Sequence, residues 1–343
     1  MKLITIILIT LCISKSYAQT SKDSVVHKIA DTTKAESTNI RSDKSYPRLS
    51  LVNIQWDQFG KTPYTFKYHG NEVDHGNLLN NRFQVNAAVP ISLSNNLTLI
   101  PGLVYTREAY TFSDVISNTG FSHDNKETYN NLDFSIKADY VKKLFGKPLI
   151  SSVDIYTMGT GLNNVKRIGG DIKEIMLFPG GLNTKYTFGF DVPIDPSSFL
   201  PVIPIAGVWH RFNDNWEMDI LILKKAALRR ANTLGGWASI GAEFNINSYF
   251  VPGNQVLHGT YEERYNEFNG YLAYDRMLSK RIMIGIRGGY KEPLDGKLLP
   301  IYAKKSDYIG ETATNSKPFF GFHLSYVLPN PQVFKKIKKG VNN

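Results

Sequence analysis

Cysteine is almost absent from this sequence: the 343-residue chain contains one, Cys12. It lies in LITIILITLCI, an apolar run that follows Lys2 and is too short to span a bilayer. Ser16, Tyr17 and Ala18 come next and give the small-x-small pattern of a secretory cleavage site. We interpret residues 1–18 as a signal peptide, with a short membrane anchor as the alternative. The exported chain then has no cysteine, which excludes disulfide scaffolds, thiolate metal sites and cysteine nucleophiles.

Long hydrophobic runs are also absent. No stretch after residue 18 has the roughly eighteen consecutive apolar residues of a membrane helix. Any crossing of a membrane must therefore be made by strands. The formal net charge is +10, but the basic residues are scattered and no basic helix dominates. Because the chain is exported, we expect no nucleic-acid partner.

An alternation of apolar and polar residues runs through the rest of the chain, and NLDFSIKADY (131–140) shows it best. Leu132, Phe134, Ile136, Ala138 and Tyr140 alternate with polar residues, three of them charged. Period two indicates a β-strand with two unlike faces. The apolar face is predicted to contact lipid and the charged face a polar interior. The same pattern recurs in RFQVNAAVPISL, WASIGAEFNIN, RIMIGIRGGY and FFGFHLSYVL.

Strand and loop lengths favour a membrane. The alternating segments run about 10–16 residues. This is long enough to cross a bilayer, because a tilted membrane-spanning strand needs about 9–11 residues. Short connections, such as 94–96, 146–148 and 279–280, alternate with long polar ones, predicted near 60–79, 113–129, 161–171, 250–262 and 293–316. Tyr and Phe together number 38, enough for aromatic girdles at both interfaces. The sequence predicts an all-β protein, a transmembrane antiparallel β-barrel. A soluble secreted β-sandwich predicts the same alternation and is the alternative.

The strand count depends on two ambiguous regions, 172–190 and 216–231. If each is one strand the barrel has about twelve, which is the count we favour. If each folds back, at Pro179-Gly180-Gly181 and at Lys224-Lys225, it has fourteen. Residues 47–328 are predicted to form the barrel, with both termini periplasmic. A flexible polar leader (19–46) precedes it and a basic tail (329–343) follows it.

The polar faces of the strands give the candidate site residues. The candidate lumen-lining residues are Arg82, Gln84, Asp133, Lys137, Asp139, Glu243, Asp275, Arg281, Arg287 and His323. Their charges have mixed sign. In a narrow barrel such charges pair and fill the interior, whereas a wide pore leaves them hydrated. The sequence does not choose between the two.

Motifs that carry chemistry are weak. His323-Leu324-Ser325 resembles the His-x-Ser of outer-membrane lipid A deacylases, but its parity points it into the lumen, away from lipid. Loop residues His69, Glu72, Asp74 and His75, and the pair His123-Asp124, match no rigid metal template. We predict no catalytic residue, metal or cofactor. A lipid-modifying outer-membrane enzyme is the alternative.

The stretch PVIPIAGVWHRFNDNWEMDILILKKAALRRAN, followed by LGGWASIGAEFNINSYF, resembles an uncharacterised family of Gram-negative outer-membrane barrels. More distantly, the chain is similar to fatty-acid-transporter-type barrels. The resemblance implies a channel or transporter for an unidentified small solute, or an envelope-structural barrel, in the outer membrane. The expected partners are outer-membrane lipids, lipopolysaccharide and the barrel-assembly machinery. One departure is the basic tail, because many such barrels end on an aromatic that the insertion machinery reads.

Overall fold

The computed structural model describes residues 46–47, 50–117, 125–195, 198, 200–252 and 259–328. These residues form seventeen strands of one antiparallel sheet. The bounds are β1 (Ser50–Phe59), β2 (Thr62–Tyr68), β3 (Asn71–Ala88), β4 (Ile91–Ser92), β5 (Leu97–Ser117), β6 (Lys126–Leu144), β7 (Lys147–Gly159), β8 (Val165–Pro179), β9 (Thr184–Ile194), β10 (Ile203–Arg211), β11 (Trp216–Leu221), β12 (Lys225–Thr233), β13 (Gly236–Pro252), β14 (Thr260–Met277), β15 (Ile282–Pro300), β16 (Gly310–Thr314) and β17 (Lys317–Val327). A 3₁₀ helix covers Lys305–Asp307.

The sheet closes into a ring of fourteen strands. β1 continues into β2, β3 into β4 and β16 into β17, so the seventeen segments make fourteen barrel strands. Each pairs antiparallel with the next, and β17 returns to β1. The twelve-strand count is wrong and the fourteen-strand count is confirmed. Both ambiguous regions fold back, at 180–183 between β8 and β9 and at 222–224 between β11 and β12.

The connections are shorter at one end of the ring than at the other. Six turns lie at the first end: 89–96, 145–146, 180–183, 212–215, 234–235 and 278–281. Tyr46 and Val327 lie at this end too, because β1 begins beside the last residue of β17. Short turns mark the periplasmic end of outer-membrane barrels, so we assign this end to the periplasm.

The predicted long loop at 60–79 is wrong. β2 and β3 form a hairpin there with its tight turn at His69-Gly70, and β16 pairs with β2 beside it. This extension rises above the part of the wall formed by β1. Tyr64, Phe66 and Tyr68 alternate with Pro63, Thr65 and Lys67 along β2, so the period of two that indicates a strand is present in this segment as well.

The outer face of the wall is apolar and the interior is polar. Ile136, Ile155 and Leu272 point outward and are each about 60% exposed. The fully buried side chains include Glu108, Glu267 and Asp57. A soluble sandwich has the reverse arrangement, with apolar residues between its sheets. The closed ring and its apolar outer face therefore show a transmembrane β-barrel, and the prediction for 131–140 is confirmed. Among the described residues, no helix is long and apolar enough to cross a membrane.

Candidate functional site: the barrel lumen

A network of ion pairs and hydrogen bonds spans the lumen. Arg82 on β3 is buried between Glu108 on β5 and Glu267 on β14, and its Nη1 lies 2.9 Å from Glu267 Oε1. Lys291 on β15 pairs with Glu267 from the other side. Tyr249 on β13 donates to Glu108 Oε1 at 2.7 Å. β5 and β13 are separated in the ring by five strands, so this last bond crosses the interior. We call these five residues the septum.

Phe59 fills the centre of the septum. It is buried at the upper end of β1, and its ring contacts Phe319 with 6.0 Å between the centroids. Three cations surround it: Lys291 Nζ lies 4.4 Å from the ring centroid, Arg82 Cζ 5.4 Å and Lys317 Nζ 5.7 Å. Cations over an aromatic face are attracted to its negative potential. The ring and the ion pairs together leave the middle of the lumen packed with side chains.

A second ion-pair layer lies just below the septum. Arg287 on β15 places Nη2 2.8 Å from Asp57 Oδ2 and Nη1 3.0 Å from Glu243 Oε1. Asp57 is fully buried on β1 and Glu243 lies on β13. A buried charge is costly unless it is paired and hydrogen-bonded. Arg287 pairs with both carboxylates of this layer, so a single guanidinium group compensates the charge of Asp57 and of Glu243.

The upper part of the β13–β14 hairpin leans over the extracellular mouth. Phe250 and Glu262, directly opposite each other in this hairpin, are buried although they point away from the face that carries Tyr249. β13 also contacts β6, which is not its neighbour in the ring. Arg167 on β8 lies 2.7 Å from Glu262 and joins the hairpin to the opposite wall. A cavity of about 300 Å³ remains at this mouth, beside Phe250.

Below the septum lies a second cavity of about 260 Å³ that faces the periplasm. Its polar lining includes Asn53, Arg229, Ser239, Asp275 and His323. Tyr46, at the end of the predicted leader, closes its lower side. The Tyr46 ring lies 4.5 Å from Arg229 Cζ and packs edge-on against Trp237, with 5.7 Å between the ring centroids.

His323 has a carboxylate partner that the local sequence does not reveal. His323 Nε2 on β17 lies 3.0 Å from Asp275 Oδ1 on β14. The two strands flank β15, and the contact passes over Gly285. A Cβ at position 285 would overlap both Asp275 Oδ1 and His323 Cε1. Glycine is therefore required at 285 for this pair to form.

We expect Gly285→Ala to separate His323 from Asp275 and to lower the free energy of unfolding by about 1–3 kcal/mol, because the added methyl overpacks the site. Gly288→Ala on the same strand is the matched control. Its Cβ meets only the Phe319 carbonyl oxygen at 3.5 Å, an ordinary contact, so its expected effect is within about 0.5 kcal/mol. Urea unfolding in detergent micelles measures both. Equal losses from the two variants would contradict the role of the His323–Asp275 contact.

The predicted site residues fall into separate groups. Arg82 belongs to the septum, Glu243 and Arg287 to the layer below it, and Asp275 and His323 to the periplasmic cavity. Four others lie along the wall: Gln84 contacts Thr106 at 3.4 Å, Asp133 accepts from Asn131 at 2.9 Å, and Lys137 pairs with Asp139 at 3.1 Å. Arg281 is not in the wall: it is exposed in the turn before β15, where it donates to the Tyr326 hydroxyl at 2.9 Å.

The sequence reasoning missed most of the septum. Glu108, Glu267, Lys291 and Tyr249 were not among the candidates, although all of them lie on strands. The alternation along β5 places Glu108 on the same, lumen-facing side as Thr106. A carboxylate near the end of a strand is also common in loops, so its position alone does not identify it as a lumen residue. The partner of Glu108 is 141 residues away, at Tyr249. Only ring closure brings such residues together.

The His-x-Ser pair points away from the membrane. Ser325 Oγ donates to Asn53 Oδ1 at 2.7 Å inside the lumen, and His323 contacts Asp275. Asp275 gives the pair an acidic neighbour, but all three side chains line the periplasmic cavity rather than the lipid-facing surface. A lipid-modifying enzyme of the kind considered from the motif needs the opposite orientation.

The carboxylates and imidazoles of the first extracellular hairpin pair with protein groups. His75 Nδ1 lies 2.8 Å from Glu72 Oε1, and Tyr64 donates to Asp74 at 3.0 Å. Hydrogen bonds from Asn77 and Lys61 lower the pKa of the nearby Asp114. Within the described part of the chain, no group of three His, Cys, Asp or Glu residues could hold a metal ion. The pair His123-Asp124 lies outside the described residues.

No protein-family model and no curated protein matches the chain. The resemblance to an uncharacterised barrel family therefore stays a prediction. Among solved structures, an outer-membrane channel from Pseudomonas putida F1 is 12% identical, over 85% of this chain and 100% of its own, with a TM-score of 0.36. A Pseudomonas aeruginosa FadL homologue is 7% identical over 80% and 89%, with a TM-score of 0.36. A deletion mutant of the monoaromatic hydrocarbon channel TodX is 8% identical over 81% and 90%, with a TM-score of 0.36.

Proposed function

We propose that the chain is an outer-membrane transport barrel whose passage is closed at rest by the septum. Its location in the outer membrane is supported by the apolar outer face, the closed ring and the signal-like N-terminus. In that membrane the barrel-assembly machinery inserts the chain, and lipopolysaccharide surrounds its extracellular rim. The chain is not an enzyme. The cavities of about 300 and 260 Å³ on either side of the septum have room for a small solute.

The septum carries this proposal. A general pore leaves its lumen charges hydrated, whereas here Arg82 and Glu108 are buried and bonded to each other. The septum also separates a mouth cavity from a periplasmic cavity. Each is lined by polar and aromatic side chains that can contact a solute. Passage from one to the other requires the cross-lumen bond between Glu108 and Tyr249 to break. The barrel is therefore a gated transporter rather than a permanently open porin.

Single-channel conductance in a planar bilayer tests the proposal. Wild-type protein is expected to be silent for most of the record. Glu108→Ala with Tyr249→Ala removes the bond between β5 and β13 and is expected to give stable conductance steps. Asp133→Ala with Asn131→Ala is the matched control, because this lumen pair bonds within one strand and crosses nothing; it is expected to stay silent.

Two results would overturn the proposal, provided that heat-modifiable gel migration shows each protein to be folded. Steady large steps from the wild type would mean an open porin. Silence from the Glu108/Tyr249 variant would mean that the lumen stays filled without that bond, and an envelope-structural barrel would then be the better account.

A further inference from the structure

The periplasmic turns share an unusual feature: each carries a large apolar side chain exposed at or beside its tip. These residues are Leu93, Phe145, Leu182, Phe212, Leu234 and Leu278, with exposed fractions from 54 to 88%. Isolated exposed apolar residues are common on proteins. Here one recurs in all six turns, which form a circle around the end of the barrel. We call this circle, with its flanking residues 89–96, 142–147, 180–183, 211–215, 230–235 and 276–281, the periplasmic rim.

Two of these apolar residues have a left-handed backbone conformation, which bulky side chains rarely adopt. Phe145 has φ 51° and Leu234 has φ 50°, each followed by a glycine that also has positive φ. Two-residue hairpin turns with both φ values positive strongly prefer Asn-Gly or Asp-Gly. A bulky residue in this region is an outlier that the rest of the structure must hold in place. Phe145 and Leu234 are also the most exposed of the six, at 88 and 84%. The turn geometry therefore does not explain the choice of side chain.

The charge of the periplasmic rim is one-sided. Its segments contain eight basic residues and one acidic residue, Asp214. Six of the basic residues are exposed: Lys142, Lys143, Arg230, Arg276, Lys280 and Arg281. The extracellular end differs, since its exposed Lys126 and Lys304 are interspersed with acids such as Glu72 and Asp307. The positive charge of the periplasmic rim therefore complements an anionic surface, whereas the mixed charge of the extracellular end does not.

Aromatic side chains hold two of the rim guanidinium groups at the outer surface. Arg230 Cζ lies 5.7 Å from the ring of Trp216, which faces outward beside it. Arg281 donates to the hydroxyl of Tyr326, another outward-facing residue. Trp and Tyr of membrane proteins lie at the level of the lipid headgroups. Both guanidinium groups are thus placed where lipid phosphates are found.

We propose that the periplasmic rim binds anionic phospholipids of the inner leaflet. The basic side chains contact the phosphates, and the apolar turn tips enter the boundary between headgroups and acyl chains. Clusters of Lys and Arg beside a membrane segment attract anionic lipid in this way. The circular arrangement favours lipid over a folded protein partner, because lipid surrounds the barrel on every side. This inference depends on the membrane location and not on solute transport.

Tryptophan depth measurements test where the turn tips lie. Phe145→Trp and Leu234→Trp are reconstituted in nanodiscs of phosphatidylethanolamine and phosphatidylglycerol, with or without bromine on the acyl chains. We expect brominated lipid to quench at least about half of the emission that each new tryptophan adds. Ile116→Trp is the control: Ile116 is 56% exposed near the upper end of β5, beyond the membrane, so iodide in the water should quench it instead. Quenching of the two turn tryptophans by iodide alone would place the tips in water, free for a protein partner, and would overturn the proposal.

Lipid retention tests the basic residues. Lys142→Gln, Arg230→Gln and Arg276→Gln are combined, and phosphatidylglycerol bound to the purified barrel is measured by native mass spectrometry. We expect the affinity for phosphatidylglycerol to fall at least about tenfold. The control combines Lys67→Gln, Lys126→Gln and Lys304→Gln, which removes the same charge from the extracellular end and should leave retention unchanged. Equal retention by both triple variants would contradict the proposal, provided that both migrate as folded barrels.

Discussion

Replacing Arg82 by methionine is expected to lower the free energy of unfolding by about 3–5 kcal/mol, the usual cost of breaking a buried ion pair by removing one partner. Arg82 contacts both Glu108 and Glu267, and both carboxylates are fully buried. After the substitution Glu267 keeps Lys291, but Glu108 keeps only neutral donors, the Asn80 amide at 2.9 Å and the Tyr249 hydroxyl at 2.7 Å. A buried carboxylate that has lost its directly bonded cation is strongly destabilising.

Urea unfolding in micelles, followed by tryptophan fluorescence, measures this loss. Gln84→Met is the matched control, because Gln84 is the next lumen-facing residue of β3 and makes one long hydrogen bond, 3.4 Å to Thr106. Its expected cost is about 0.5–1.5 kcal/mol. Arg82→Met with Glu108→Met removes both members of the pair and is expected to recover much of the loss. If Arg82→Met were no more costly than Gln84→Met, the septum would be hydrated rather than buried.

The alternation of side chains was enough to predict which face of each strand meets lipid. It depends only on the pleat of a strand, so residues 132–140 could be assigned without knowledge of their neighbours. Strand number was harder, because β11 has only six residues and its return, β12, begins after a three-residue turn. So short a hairpin leaves no clear break in the pattern at 222–224. The consecutive lysines Lys224 and Lys225 are consistent with a turn, but they are equally consistent with a continuous strand.

The septum could not be predicted because two of its contacts, Arg82 with Glu267 and Glu108 with Tyr249, join strands that are not neighbours in the ring. Each strand shows that it carries a lumen-facing charge, as Arg82 and Arg287 do, but not the height of that charge or the strand opposite. Both depend on the register of all fourteen strands and on the closure of β17 against β1. A shift of two residues in a pairing along the short path from β5 to β13 would preserve every inward and outward assignment yet separate Glu108 from Tyr249. The choice between a filled and a hydrated lumen, which the sequence left open, rests on that register.

Arginine in place of Ile136 is expected to destabilise the barrel by about 2–4 kcal/mol if the residue lies near the bilayer midplane, with a smaller cost nearer an interface. Ile136 points outward from β6 and is 58% exposed. Asp133 and Lys137 of the same strand face the lumen. If the assignment of β6 were wrong by one residue, Ile136 would face the lumen and the expected loss of stability would be different. If position 136 faced the lumen instead, an added cation could be hydrated or paired there and the cost would be small.

Ile116→Arg is the matched control for this substitution. Ile116 is 56% exposed on β5, so the side chain and its exposure are nearly the same as at 136. It lies near the top of the strand, where β5 pairs with the extracellular hairpin at His75, and water replaces lipid around it. Its expected cost is about 0–1 kcal/mol. Unfolding from lipid vesicles by urea compares the two variants under one condition. Only a hydrocarbon environment at residue 136 makes the first arginine markedly more costly than the second, so equal effects would place the apolar face of β6 outside the bilayer.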